Sequence, residues 1–512
     1  MKKLSKEQIS LLTIFLFLIL GTINLLSHEM WRDELDSWLV ARGNSFTGIA
    51  GHMKFAGHPV LWYLALWFVQ HISANPVSMQ ILHLLIATAT ISIILAYSPF
   101  SQLQKILLVF SYFFFYEYAI VCRSYSLGFL MVFAICALLT RKYSSPLWCA
   151  LLIAVLVHTH VLSLILACTL TLYILLDWRT LFPYARRPHI VAFALIVFSS
   201  FIAFMFYAIP DKDYTWYPDS AIHWDYGQAM LALKSIWSSY LPLPQIKMHF
   251  WNTNMLSSGV LQNIGSILLI ALSVLFFANK RKVMLFYVAT TFAYLGFFYK
   301  FYQGYLRHHG FLFMAFLVSY WLYLISSENR SGGVAQRLYK MSQSVRPTFI
   351  TLLLFVHFLA AGIATWYDTK YPFSASKQVG EYLLQNKYQD CIIFGDQDFL
   401  ASPVAAWIDK KLYFPSIDAF GSYITWTPER ETPAITNKEE EALYDRSIWE
   451  KARTVSLRYH KDVILVLSYH LEHELLAQFT TAIVKNEIYF LYKIDFERLA
   501  SQSSQEDAFE VR

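Results

Sequence analysis

Pro59-Val60-Leu61-Trp62-Tyr63-Leu64-Ala65-Leu66-Trp67-Phe68-Val69-Gln70-His71-Ile72-Ser73 is the run on which the fold turns. It is apolar almost throughout, yet as a helix it reaches only about 22 Å, short of the roughly 30 Å of a bilayer's hydrocarbon. We therefore expect it to lie in the membrane interface.

Around it the chain reads as a membrane protein. Of its 512 residues, 56% are hydrophobic and 15% charged, against roughly 25% charged in a soluble domain. Apolar stretches that cross or nearly cross a bilayer fall at 9–27, 77–96, 106–122, 124–140, 145–160, 161–177, 190–208, 256–279, 283–299, 309–326 and 347–366. They make eleven expected spans, the 145–177 pair meeting at a tight corner, His158-Thr159-His160. With 59–73 interfacial and the amino terminus inside, the inner loops hold 16 Lys and Arg and the longer outer loops nine. Were 59–73 to cross, every later loop would change sides and the basic ones would face outward, against the positive-inside bias. The amino terminus has no small-x-small cleavage site after its apolar run and is read as a retained first span. The net charge of +6 lies in short clusters between apolar runs, so membrane orientation explains it and no nucleic-acid partner is expected. Four of the five cysteines sit inside apolar runs, which is no disulfide framework.

From Tyr367 the composition becomes that of a soluble domain. Runs at Cys391–Phe394, Val463–Leu467 and Ile488–Leu491 read as strands, and 376–387 and 438–453 as helices. The expected architecture is a polytopic α-helical membrane module over 1–366, with a first outer loop at 28–76, followed by a small α/β domain over 367–512 outside the membrane.

The first outer loop concentrates charge: His28-Glu29-Met30-Trp31-Arg32-Asp33-Glu34-Leu35-Asp36-Ser37-Trp38-Leu39-Val40-Ala41-Arg42. As a helix it aligns Leu35, Trp38, Leu39 and Arg42 on one side, so it should lie flat on the membrane. Asp33 and Glu34 stand near its start. A carboxylate there can take the proton of an acceptor hydroxyl as a sugar's anomeric carbon gains oxocarbenium character. The plainer alternative makes Asp33 the helix cap, with Glu34 and Asp36 facing water.

An apolar first span, an outer loop carrying Asp-Glu, a flat amphipathic helix and a Pro-led aromatic helix together resemble the C-type glycosyltransferases. That superfamily includes protein O-mannosyltransferases, lipid A aminoarabinose transferases and polytopic transferases of lipopolysaccharide core assembly. The resemblance covers roughly residues 1–330 and is strongest to the last group. It implies transfer of a sugar from a polyprenyl-phosphate donor to a lipid, glycan or protein acceptor on the outer face of the plasma membrane. Asp33 would be the catalytic carboxylate, with Glu34 beside it. Glu117-Tyr118 and Arg123-Ser124-Tyr125 correspond to the family's Arg-x-Tyr segment. His158 and His160 fall where relatives carry His, and Arg307-His308-His309-Gly310 where they carry a cation. His58-Pro59 departs from the Pro-Pro or Lys-Pro of many relatives, which bears on the donor-head contact.

A departing phosphate needs fixed cations about 3 Å from its oxygens. Arg123, Arg307 and Lys212 are the candidates, the arginines favoured for their planar fork; the alternative has them anchoring helix ends at the headgroups. Glu117, inside an apolar run, calls for a partner or a wet cavity. The His pairs 158/160 and 308/309 lack the spacing of a zinc site. The resemblance leaves Mg or Mn on Asp33 and Glu34 as the metal to consider, since some relatives use one. The aromatic and acidic loop 209–254 is a candidate sugar-stacking wall. Asp396-Gln397-Asp398 follows a strand but has no glycine-rich nucleotide loop, so it is read as a turn. The competing class is a transporter or flippase, which would carry paired repeats and ionisable groups at the midplane; here the charges gather at one interface.

Overall fold

The computed structural model describes residues 5–56, 58–141, 144–208, 224–327, 333–425 and 437–501. Lys212 and most of the acidic part of the 209–254 loop lie outside the described residues. Helices follow in the order α1 (Lys6–Ser27), α2 (Arg32–Gly43), α3 (Phe46–Ala56), α4 (Leu61–Ile72), α5 (Val77–Tyr97), α6 (Gln102–Val109), α7 (Tyr125–Thr140), α8 (Pro146–Val157) and α9 (Val161–Leu176). After the single turn α10 (Trp178–Leu181) come α11 (Arg187–Ala208), α12 (Tyr226–Tyr240), α13 (Gly259–Phe277), α14 (Arg281–Lys300), α15 (Leu306–Ile325) and α16 (Gly333–Lys370).

Seven of these helices, α1, α5, α11, α13, α14, α15 and α16, are long and apolar enough to cross a membrane. Side chains such as Leu11, Phe206 and Leu268, 67%, 79% and 64% exposed, form apolar surfaces suited to lipid rather than water. The other four expected spans are shorter or broken. Helices α8 and α9, of 12 and 16 residues, are only about 18 and 24 Å long and meet at the 158–160 corner. The 106–122 stretch is not one helix: α6 stops at Val109 and a π-helical turn, Tyr112–Glu117, follows. That widened turn buries five consecutive aromatic residues, Tyr112 to Tyr116, together with Glu117, and such turns recur where a side chain must be re-aimed. The interfacial run forms α4, 12 residues long, too short to cross.

The described residues divide into two compact units, Met1–Leu26, Ala56–Trp62 and Gln80–Tyr367 in one, and Ser27–Phe55, Tyr63–Met79 and Asp368–Arg512 in the other. In the first, α15 is the central post, with 17 of its 20 residues buried. Glycine is required at 310, where a Cβ would overlap the Tyr118 hydroxyl and the Phe113 ring.

In the second unit, α17 (Ser376–Gln385), β1 (Ile392–Gly395), α18 (Asp398–Ile408), β2 (Leu412–Phe414), β3 (Ala419–Gly421), α19 (Lys438–Tyr459), β4 (Val463–Leu467), β5 (Leu475–Phe479) and β6 (Tyr489–Ile494) build an α/β layer. The sheet order is β3-β2-β1-β4-β6-β5, with β1 parallel to β2 and β4 and the remaining pairs antiparallel. Strands β1, β2 and β4 are buried along their whole length, as expected of strands covered on both faces. Ile448, Ala452 and Val455 of α19 pack on Phe394 and Leu465. The alternate face, at Gly395, meets Ala401 of α18. Helix α18 also packs against α2.

Candidate functional site

Two polar clusters stand out, one in each unit. The first surrounds the start of α2. Its backbone N–H groups have no partner within the helix, and two carboxylates meet them. Glu34 accepts from the Trp31 N–H at 3.1 Å, and Glu487, from just before β6, accepts from the Arg32 N–H at 3.0 Å. Glu34 is fully buried, and its Oε2 also lies 3.1 Å from His28 Nε2. The other ring nitrogen of His28, Nδ1, lies 2.8 Å from Asp368 Oδ2. Both nitrogens can donate to carboxylates only as an imidazolium. Burial opposes that charge, but Asp368 and Glu34 outweigh it and hold His28 well above the ordinary histidine range. Glu34 therefore does not face water, as the capping alternative had it. Asp36 does not simply face water either: its Oδ1 accepts from the Ile424 N–H at 3.2 Å.

Asp33 differs from Glu34. Its side chain is 28% exposed, with Oδ1 3.9 Å from Arg32 Nε. The guanidinium of Arg32 lies 5.7 Å from the Trp31 ring centroid and 5.5 Å from that of Phe399, and its Nε is also 3.9 Å from Glu487 Oε1. A divalent ion shared by Asp33 and Glu34 does not fit this arrangement, because Glu34 is enclosed and its Oε2 is engaged by His28 and a backbone amide. Among the described residues no group of three or more His, Cys, Asp or Glu could hold a metal.

The second cluster gathers Arg123, Tyr125, His160, Arg307 and His308, with His58 and Glu117 beside them. His308 accepts from the Tyr305 N–H on Nδ1 at 3.0 Å, which leaves a neutral ring's Nε2–H to donate to the Tyr125 hydroxyl at 3.1 Å. His160 caps α9 by accepting from the Leu162 N–H at 3.1 Å. Its ring centroid lies 6.4 Å from those of both His58 and His308, so three imidazoles stand in a row. Arg307 is buried, its guanidinium 5.2 Å from the Trp251 ring centroid and 5.0 Å from that of Tyr305. Arg123 lies 6.0 Å from the Tyr125 ring centroid, and His83 of α5 fixes its backbone, with Nε2 3.0 Å from the Arg123 carbonyl. The partner expected for Glu117 is present: it accepts from the Tyr112 hydroxyl at 2.9 Å and from Trp251 Nε1 at 3.2 Å. Trp251 thus ties Glu117 to Arg307.

His158 does not join this cluster. Its ring contacts the Tyr207 hydroxyl and, at 3.1 Å, Ser200 Oγ on α11. Asp396 is buried and accepts from the hydroxyls of Tyr444 and Tyr469; burial raises it and the tyrosines partly offset that. His28, Asp368, Glu487, Trp251 and His83 were not singled out from the sequence. Only His28 carried a signal, its place in the acidic loop.

Neither a protein-family model nor a curated protein matches the chain. In fold it is α-helical, with seven helices among the described residues long and apolar enough to cross a membrane and a small mixed sheet, and this fold is like that of known structures. Two crystal structures of ArnT from Cupriavidus metallidurans are similar to it. The one bound to undecaprenyl phosphate has a TM-score of 0.53 at 10% identity, covering 94% of this chain and 97% of that one. The apo form gives 0.51 at the same identity and coverage.

Proposed function

We propose that this chain is a membrane glycosyltransferase that moves a sugar from a polyprenyl-phosphate donor to a hydroxyl of a lipid, glycan or protein acceptor at the outer face of the plasma membrane, its amino terminus cytoplasmic. Asp33 takes the hydroxyl proton as the acceptor oxygen bonds to the anomeric carbon. The bond from that carbon to the phosphate oxygen breaks, and the polyprenyl phosphate leaves. A single displacement of this kind inverts the anomeric carbon. Arg307 and Arg123, with His160, His308, His58 and Tyr125 around them, meet the phosphate charge; the undecaprenyl phosphate named for ArnT is a donor carrier of this class. Glu34 positions the start of α2 and does not itself take the proton. Lys212 stays a candidate donor contact on the sequence reading alone. The 367–512 segment is the proposed extracytoplasmic domain.

The observation that carries this reading is the contrast at the start of α2: Glu34 is enclosed by His28 and backbone, while the Asp33 side chain is 28% exposed. A base must reach its proton. The test compares surface glycans by mass spectrometry in cells lacking the gene, complemented with wild type or Asp33→Asn. Loss of one sugar with the variant, at normal protein levels, supports the reading; undiminished transfer overturns it. A transporter would instead sustain substrate flux in sealed vesicles with Asp33→Asn in place.

A further inference from the structure

Arg32 Nε stands at the same 3.9 Å from Asp33 Oδ1 and from Glu487 Oε1. The guanidinium is held between the Trp31 and Phe399 rings, so it is a fixed cation divided between two carboxylates. Its Nη1 is buried with no hydrogen-bond partner among the described residues. Glu487 adds the 3.0 Å bond from the Arg32 N–H, tying backbone and side chain of one residue to a carboxylate 455 positions away in sequence. An arginine given wholly to Asp33 would favour its ionised form and make it a poorer proton acceptor.

We propose that Glu487 is a positioning residue that keeps Asp33 basic by holding Arg32 in the shared place between them; this rests on Asp33 being the proton acceptor. The groups facing Glu487 are Arg32 and Asp33 from the α2 side, Ser374, and Tyr489 on β6. Burial holds the Glu487 carboxyl at about 7, against the pull of Arg32. Above that value Glu487 is charged and shares Arg32. Below it Glu487 is neutral, Arg32 passes to Asp33, and transfer slows.

The experiment follows the initial rate of undecaprenyl phosphate release from endogenous lipid-linked donors in membranes containing the full chain, from pH 5.5 to 8.5. Wild type should gain about three- to tenfold as pH rises through about 7, within the range that general-base catalysis supplies. Glu487→Gln keeps an oxygen for the Arg32 N–H but carries no charge. It should lose that step and run at the acid-side rate throughout, with KM little changed. Glu487→Asp, which keeps the charge, should retain the step. A step near 7 that survives Glu487→Gln, or one that disappears in Glu487→Asp, overturns the inference. Release at the wild-type rate from Asp33→Asn membranes would instead overturn the catalytic reading, so the two failures are distinguishable.

Discussion

His28→Ala removes the imidazolium that Glu34 and Asp368 enclose at 3.1 and 2.8 Å. The histidine ring and Glu34 have fully buried side chains and that of Asp368 is 4% exposed, so the variant leaves two carboxylates facing each other out of water. Breaking a buried pair costs about 3–5 kcal/mol because the remaining charge is uncompensated, a large share of the roughly 5–15 kcal/mol that holds a domain folded. Because the His28 value is raised in the folded protein, its contribution is complete below the unfolded histidine value of about 6.5 and declines as pH climbs through the folded one. Pulse proteolysis of the full chain in detergent across a urea series, at pH 6, should show the midpoint of the second unit fall by an amount worth about 3 kcal/mol or more. Removing one of the two remaining charges with Glu34→Gln in the same chain should recover part of that. A His28→Ala midpoint within about 0.5 kcal/mol of wild type, the range of an ordinary surface change, would refute the buried imidazolium.

Arg307→Ala should weaken binding of undecaprenyl phosphate to the purified protein by about 10- to 100-fold, the worth of a hydrogen bond to a charged group, as read by native mass spectrometry. Arg307→Lys should fall between, keeping charge but losing the fork and the stacking on Trp251. Trp251→Phe deletes the N–H that Glu117 accepts at 3.2 Å and should cost about 1–3 kcal/mol, seen as a shorter half-life on heating in detergent. Gly310→Ala forces a methyl into the Tyr118 hydroxyl and the Phe113 ring, an overpacking of about 1–3 kcal/mol measurable in the same way.

What the sequence made legible follows what each residue does alone. Val463–Leu467 reads to the residue as β4 because the strand is covered on both faces and every position is apolar. Strand β5, Leu475–Phe479, is only partly buried and carries Gln478, so it offers no run to recognise. The long helices announce themselves by length. The break at 110–111 does not, because Phe110 and the aromatic π-helical turn after it prolong the apolar run of α6 without a polar interruption longer than Ser111. Asp33 was visible by its neighbours in the chain, and Arg123 and Arg307 by being cations at the ends of apolar runs. Asp368 and Glu487 were not visible: they reach His28 and Arg32 across 340 and 455 residues, a pairing that only the folded chain creates. The same holds for Trp251 and Glu117, 134 residues apart.

The most direct test of Asp33 as the proton acceptor is a paired measurement on one strain: the amount of each polyprenyl-phosphate-linked sugar in its membranes and of the matching sugar on its envelope. With Asp33→Asn in place of wild type, one lipid-linked sugar should accumulate while that sugar disappears from the envelope. Unchanged donor pools and an intact envelope sugar would contradict the mechanism.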